Sequence, residues 1–563
     1  MVSSRLSPRC EKLRALLGFN PGQPDTHARF APAAALAVAF TLLPLCLLLP
    51  IDADRTLPLL FVPAVALGWK ISRPAAPVLT TLMAWALGAM LVATVFADHT
   101  ARAIVMASAV VWVFAGGMTA RNLAPCLPAV RLVLGGIAVG ALLGILLVSA
   151  GFGLSYMKFP VYWSARIFGM HQFAGAMAAL GLLRLVKPRT WRTAMFALLT
   201  LALLTGLAAA SSRAGLVGLA ASLVFWFWRG NADDRKFLIV TAIPLSGLAL
   251  AIAYFVGTPF MGMGLAAAVE RTATATSLES VTSARSYFWS VVWDQVWNSP
   301  WIGHGADAYQ YIQPRLHGAQ PHNVLLQWLY EYGLVGALPL VLLLLAAIAG
   351  GFRQKPLAGE ESHRLQLWAS AAVAGAVGFG LFDGAFYHMV IFMPAAVFVG
   401  LALGTDNERT IPVVRAHKIL RPALLITLIF LVLHNWLGLM LIRAHNFTPD
   451  SPVARLLRVF PSTTHGLSAW IKSWEKTHPE VVMDWITWAQ NASNQQPEFH
   501  LAALQIHFNH RDFIAAEKEL LSLRSKASVL ELPDVERLLV DVSAKARAQA
   551  DAAKIAPAPL TTP

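Results

Sequence analysis

The chain of 563 residues is 57% hydrophobic and only 13% charged, with a mean hydropathy of +0.58. A water-soluble domain carries about a quarter charged residues, so an ordinary soluble protein is excluded, and so is a disordered chain. Forty-four Lys and Arg against thirty Asp and Glu give a net charge of +14. No nucleic-acid motif accompanies that excess, which therefore reads as basic loops beside a bilayer and anionic ligands or lipids.

Residues 1–32 are polar and basic, with Arg5, Arg9, Lys12, Arg14 and Arg29. The apolar run behind them lacks a small-x-small cleavage site, so a retained first span is expected rather than a removed signal peptide. Runs of membrane-spanning length recur at 33–51, 57–71, 75–97, 102–120, 131–151, 167–186, 193–210, 214–228, 237–257, 323–350, 365–382, 386–404 and 420–441, about thirteen in all. The predicted fold is all-α, a polytopic helix bundle over 33–441.

Connectors set the orientation. One set holds Lys70, Arg73, Arg121, Arg131, Lys187, Arg189, Arg192, Arg229, Arg235, Lys236, Arg353, Lys355, Arg364, Arg409, Arg415, Lys418 and Arg421. The alternate connectors hold Arg55, Arg102, Lys158, Arg166 and Arg213. The richer set is assigned to the cytoplasm, where basic loops are retained. Two segments then fall on the opposite, periplasmic side: a loop at 258–322 and a tail at 442–563. Long loops in compact bundles are usually functional. The tail reads as short amphipathic helices at 452–459, 465–476, 480–491, 498–509, 511–526 and 533–553, a repeat-like α-helical domain.

The three cysteines, Cys10, Cys46 and Cys126, show no Cys-x-x-Cys spacing, so neither a thiolate metal site nor a redox pair is expected. His304, Asp307, His317 and His322 cluster in sequence but fit no zinc spacing, and no HExxH or P-loop occurs; no metal and no cofactor are expected.

Three ionisable residues on the periplasmic side are candidates, because charge is expensive to keep in an apolar chain. Arg213 in SSRAGLVG lies at a tight turn among small residues that allow close approach; the plain alternative is an arginine snorkelling at a helix end. Arg285 opens SARSYFWSVVWDQVWNSPWIGHG, and Trp289, Trp293 and Trp297 follow it at steps of four on one helical face. That stripe suits a membrane-surface aromatic belt or sugar stacking beside a phosphate-binding arginine. His322, between Pro321 and Asn323, lies at a helix start. Its imidazole can take a proton from an attacking hydroxyl, though a structural histidine fits there too.

These segments resemble the O-antigen ligase/polymerase superfamily of bacterial inner-membrane glycosyltransferases, and within it the pilin- or protein-type O-oligosaccharyltransferases (the PglL-like branch). The resemblance covers about 160–405 and rests on SSRAG, on SARSYFWSVVWDQVWNSPWIGHGADAY and on PHNVLLQWLYEYGLVG, with its His-Asn and Glu-x-Gly-x-x-Gly pattern. Gln172-Phe173-Ala174 stands where the branch has Gln-Pro-Asn, and Asp383-Gly384-Ala385-Phe386, followed by Tyr387 and His388, where it has Glu-Tyr-Pro-Leu. A helical tail is typical of that branch.

The resemblance implies His322 as catalytic base and Arg213 and Arg285 as a diphosphate clamp, with Gln172, Glu331, Tyr387 and His388 as further substrate or acceptor contacts. It implies an undecaprenyl-diphosphate-linked glycan as donor and a pilin or other periplasmic or membrane protein as acceptor. Transfer to lipid A core and repeat-unit polymerisation share the same donor logic. The expected reaction is an inverting transfer at the outer face of the inner membrane, since no paired carboxylates point to a covalent glycosyl intermediate. A transporter or flippase is the rival of another class; it predicts mid-membrane charges and repeated halves, neither of which is evident.

Overall fold

The structure, a computed structural model, describes residues 24–47, 53–69, 77–97, 99–150, 162, 164–186, 191–255, 269–270, 273–274, 285–312, 320–352, 360–404, 414–443, 451–460, 471, 478–492, 497–526 and 532–555. All regular structure among them is helical. In chain order the apolar part comprises α1 (Pro24–Cys46), α2 (Leu57–Gly68), α3 (Pro77–Val95), α4 (Thr100–Leu123), α5 (Leu127–Ser149), α6 (Ala165–Leu185), α7 (Trp191–Ala209), α8 (Arg213–Arg229) and α9 (Ala232–Phe255). After a loop carrying α10 (Arg285–Val296) come α11 (Val324–Gly350), α12 (Glu360–Gly380), α13 (Met389–Leu403) and α14 (Val414–Arg443). The tail adds α15 (Pro452–Val459), α16 (Pro479–Ala492), α17 (Pro497–Asn509), α18 (Phe513–Lys526) and α19 (Leu532–Ile555).

Each of the thirteen apolar runs coincides with one of these helices. Among the described residues, eight are long and apolar enough to cross a membrane: α1, α3, α4, α5, α7, α9, α11 and α14; α2 and α13 are shorter apolar helices. The chain is thus an all-helical, multi-pass membrane protein with about eight candidate spans. The three remaining helices, α6, α8 and α12, are the more polar ones. Arg166, His171, Gln172 and Arg184 lie on α6, arginines mark both ends of α8, and α12 opens on two glutamates. Helices that are enclosed by other helices need not be apolar toward lipid, and α6 is buried along nearly all of its length. The first helix starts at Pro24, nine residues ahead of the expected span at 33, because hydropathy marks the apolar stretch and not the polar turn that leads into it.

Two features of the bundle determine the site. The first is the close packing of α8 on α12. A Cβ on Gly375 would lie 1.8 Å from Oγ of Ser222 and 2.6 Å from the Gly218 carbonyl oxygen. Small residues here let the two backbones nearly touch, the usual route to tight helix association without a hydrophobic driving force. The start of α8, at Arg213, is thereby held near the end of α12.

The second is a break in α11. Gly333 has φ 60° and ψ −173° inside the helix, a conformation essentially restricted to glycine. A Cβ there would fall 2.3 Å from the carbonyl of Trp301. The loop after α10 docks into the break: the backbone N–H groups of His304 and Gly305 donate to the carbonyls of Tyr330 and Glu331 at 2.9 and 2.8 Å, and that of Leu334 to Pro300 at 2.8 Å. The loop is therefore pinned to the first turns of α11, where His322 lies.

In the tail, α15–α19 agree with the expected helices within a few residues; the one expected at 465–476 falls largely outside the described residues. Helices α17 and α18 form a hairpin through Arg511, whose φ is 58°. Trp485, Ile486, Phe499 and Ala503 make one small core, and Leu504, Leu520, Leu523 and Val542 another.

Candidate functional site

Three connections converge near the ends of α8, α10 and α12 and the start of α11. Asn323 caps α11, its Oδ1 accepting from the N–H groups of Leu325 (3.0 Å) and Leu326 (3.1 Å), while its amide donates to the Leu381 carbonyl at 3.3 Å. A side-chain cap of this kind satisfies helix donors that would otherwise be orphaned. The cap fixes the residue before it. His322 has φ 58°, a left-handed conformation that costs a non-glycine residue roughly 1–2 kcal/mol. Its own N–H donates to Oε1 of Gln320 at 2.6 Å. The preceding carbonyl, of Pro321, accepts from the Trp289 indole on α10 at 2.9 Å.

The imidazole faces Asp383, in the turn after α12. Nδ1 lies 2.8 Å from both Oδ1 of Asp383 and Nε2 of Gln320, and that carboxylate oxygen also accepts from the Gly384 N–H at 2.9 Å and Nε2 of Gln320 at 3.3 Å. An ionised carboxylate only accepts, so Nδ1 carries the proton and Nε2 keeps its lone pair. Burial alone would raise Asp383, but His322, Arg166 and Arg285 outweigh it and hold the carboxyl well below its usual range. Burial pushes the imidazole the other way, below its ordinary value; the bond to Asp383 opposes this, and the positive Arg166 and Arg285 reinforce it. The outcome is a neutral histidine backed by a charged aspartate.

Two guanidiniums stand at the His322–Asp383 pair, and a third lies close to one of them. Arg166, at the start of α6, brings its terminal nitrogen to 3.4 Å from Nε2 of His322. Arg285, the first residue of α10, stands 3.9 Å from Oδ2 of Asp383. Arg213 begins α8 and is exposed; it lies near enough to Arg285 to bear on its charge. Burial, opposed by Asp383 and helped by Arg166 and Arg213, lowers the Arg285 guanidinium. Among the described residues, Arg166 and Arg285 bear on the one carboxylate of Asp383, and with Arg213 nearby the arrangement favours a polyanion.

The three candidates His322, Arg213 and Arg285 thus share one locality. Reading the sequence missed Arg166, Asp383 and Gln320 as members. Their signals were present: an arginine entering an apolar helix, an isolated acid beside a late helix, and an amide two residues from the histidine. The other four predicted contacts lie elsewhere or at the margin. Gln172 is fully buried in α6, its amide donating to the Ala141 carbonyl at 3.0 Å. His388 precedes α13 and packs beside Gly384.

Tyr387 and Glu331 belong to a second, buried network. The Tyr387 hydroxyl donates to Oδ1 of Asp307 at 2.7 Å, Nε of Arg102 to its Oδ2 at 2.5 Å, and Arg55 to the same oxygen. Gln310 joins Arg102, Asp307 and Tyr387 at 2.6–2.8 Å. Glu331 is buried beside it, with Gln327 donating at 3.2 Å. This network ties the docked loop to α4 and to the turn that carries Asp383. Of the histidine-acid run weighed as a metal site, Asp307 is committed to arginines, the His304 ring stacks on Tyr330 at 4.5 Å, and His317 lies outside the described residues. No group of three metal-ligating side chains occurs among the described residues.

Residues 196–341 match the family model described as O-Antigen ligase. The match runs from α7 into α11 and contains Arg213, Arg285, His322 and the Gly333 break; Arg166 and Asp383 lie outside it. A Pseudomonas aeruginosa (strain PAO1) protein described as "O-antigen ligase" is 30% identical over 237 residues, 40% of this chain and 52% of that one. The chain spans about half the length of this curated relative.

Proposed function

We propose that this chain, whose residues 196–341 match the O-antigen ligase family model, transfers a preassembled glycan from a lipid diphosphate carrier to an acceptor hydroxyl. One observation carries the reading: His322, 2.8 Å from Asp383, stands beside Arg166 and Arg285, with Arg213 close to Arg285. The acceptor O–H donates to Nε2 of His322. As its oxygen attacks the anomeric carbon, the proton passes to Nε2, and Asp383 stabilises the imidazolium. The bond from that carbon to the diphosphate oxygen breaks, and Arg166, Arg213 and Arg285 meet the charge left on the departing diphosphate. A single displacement inverts the anomeric centre. The donor carries its own leaving group, so the balance closes without a nucleotide, and His322 supplies the base that a metal-bound oxygen would otherwise provide.

The donor in this reading is undecaprenyl-diphosphate-linked glycan, and the active site faces the periplasm from the bacterial inner membrane, in line with basic loops on the opposite side. The acceptor is a hydroxyl of a pilin or other periplasmic or membrane protein, a reading supported by the helical tail α15–α19. The second acceptor that shares this donor chemistry is lipid A core. Purified protein in proteoliposomes with lipid-linked glycan tests the chemistry: the wild type forms glycoconjugate and carrier diphosphate, and His322→Ala does not. Full transfer by His322→Ala overturns the reading. Deleting α15–α19 from the chain in cells separates the acceptors, since loss of glycosylated protein with intact lipopolysaccharide supports the protein acceptor and the converse supports lipid A core.

A further inference from the structure

The loop helix α10 has one face that the chemistry above does not use. Phe288, Val292 and Val296 are buried against Tyr309, Ile312 and Tyr330. The opposite face carries Trp293 and Trp297, 46% and 61% exposed, with Trp301 64% exposed just beyond the helix end. The rings of Trp293 and Trp297 meet edge to face at 5.5 Å. Indoles are also exposed on the membrane helices, as at Trp191 and Trp228, but these two stand together on a loop helix beside the reactive centre and form a contiguous apolar contact surface.

This face is continuous with the reactive centre. Arg285, Trp289 and Trp293 follow one another at steps of four on α10 and Trp297 comes directly after its last residue, so they form a stripe that winds by about 40° per step. The stripe begins at Arg285, 3.9 Å from Asp383. Its next member, Trp289, is bonded to the carbonyl of Pro321, directly before His322. Four residues of helix rise about 6 Å, close to the length of one pyranose unit in an extended chain. From the diphosphate end outward, the stripe presents a cation and then indoles at saccharide spacing.

We infer that Trp293 and Trp297 form a binding platform for the outer sugars of the lipid-linked glycan, with Trp289 tying the platform to the base. This rests on the glycan-transfer reading of the site and names what that site holds beyond the diphosphate. The flat apolar faces of pyranose rings stack on indole, and the indole N–H groups stay available for sugar hydroxyls. A platform that engages sugars distant from the reacting carbon explains how the site selects a completed glycan: binding energy from remote units orients the reacting one. A lipid-facing aromatic belt is the competing occupant. It requires only apolar bulk at the interface, whereas stacking requires a ring.

The full-length protein in proteoliposomes separates the two. Two donors are compared, the carrier diphosphate bearing the complete glycan and the same carrier bearing its first sugar alone. Trp293→Ala/Trp297→Ala is expected to lose roughly ten-fold or more in kcat/KM on the complete glycan, with a clearly smaller loss on the one-sugar donor. Trp293→Phe/Trp297→Phe restores most of the loss, and Trp293→Leu/Trp297→Leu does not. Free oligosaccharide released from the carrier by mild acid is titrated against tryptophan fluorescence; it perturbs the wild type saturably and leaves the Ala pair unresponsive. Equal losses on both donors, or rescue by Leu as good as by Phe, overturn the platform and leave a membrane belt. Wild type that binds the free glycan yet transfers from neither donor refutes the transfer reading alone, and wild type that transfers but gives no fluorescence response refutes the platform alone.

Discussion

Nδ1 of His322 lies 2.8 Å from Oδ1 of Asp383, although the two are 61 residues apart. The pair brings the start of α11 against the turn after α12, and it fixes which imidazole nitrogen is left to react. His322→Ala is expected to lower kcat roughly 10²- to 10⁴-fold, the usual contribution of a positioned base. Asp383→Asn removes the charge behind the imidazolium and lowers kcat within the same range. Steady-state transfer from a lipid-linked glycan measures both; an Asp383→Asn enzyme with wild-type kcat shows that the aspartate only braces the loop.

The acid limb of the pH profile follows from the same pair. Burial, reinforced by Arg166 and Arg285, keeps His322 below the ordinary imidazole value despite Asp383. Protonation removes the lone pair on Nε2, so kcat/KM rises with pH through an apparent value below about 6.5 and is flat at neutrality. Asp383→Asn withdraws the one group that raises the imidazole. Its limb therefore shifts to still lower pH while its plateau falls. A limb that moves upward in the Asn variant contradicts this electrostatic account.

Gly384 supplies a test of Gln320, which reading the sequence overlooked. A Cβ on Gly384 would lie 2.8 Å from both Cδ and Nε2 of the Gln320 side chain, a clash that costs about 1–3 kcal/mol or moves the amide. Gln320 bonds the His322 N–H and Asp383, so Gly384→Ala is expected to reduce kcat with the fold kept. Gln320→Ala makes room for the methyl group but removes the same bonds. The double variant should therefore be no worse than Gln320→Ala alone, measured by transfer rate beside thermal unfolding.

The distribution of what the sequence revealed has a physical basis. The helices that carry the thirteen apolar runs were legible because a bilayer forces long apolar stretches, though their boundaries moved by as much as nine residues, as at Pro24. His322, Arg213 and Arg285 were legible because charge in an apolar context is costly, with the resemblance supplying their roles. Asp383 was read only as the start of a segment that departs from the branch's Glu-Tyr-Pro-Leu, since its value comes from a partner 61 residues away. Tyr387 and Glu331 were expected at the substrate and lie instead in or beside the Asp307 network. Aromatic and acidic residues near a motif do not reveal which of two adjoining networks they serve.

Asp307 tests that second network. Its buried carboxylate joins Arg55 and Arg102, and removing one partner of such a cluster costs roughly 3–5 kcal/mol. Asp307→Asn is thus expected to lower the unfolding temperature in detergent. Burial would raise the Asp307 carboxyl, but Arg55, Arg102 and the Tyr387 hydroxyl together hold it below the usual range. The stabilisation is therefore present at neutral pH and lost as pH falls through that lowered value. The wild-type unfolding temperature should drop in acid more steeply than that of Asp307→Asn; parallel curves refute the assignment.

The contact between α8 and α12 makes a prediction about Arg213 from a distance. A Cβ on Gly375 would stand 1.8 Å from Oγ of Ser222 and 2.6 Å from the Gly218 carbonyl oxygen. Gly375→Ala must therefore push α8 from α12, carrying Arg213 away from the turn that holds Asp383. The hydroxyl of Ser222 is buried with no hydrogen-bond partner among the described residues, so Ser222→Ala sacrifices no bond and removes the shorter of the two clashes. It leaves the backbone clash with Gly218 in place. Gly375→Ala should raise KM for the lipid-linked donor more than it lowers kcat if, as proposed, Arg213 serves the diphosphate while His322 stays with Asp383. Adding Ser222→Ala should recover part of that loss but not all of it. Full recovery would mean that the helices tolerate separation at Gly218; a loss confined to kcat would mean that the spacing serves His322 rather than Arg213.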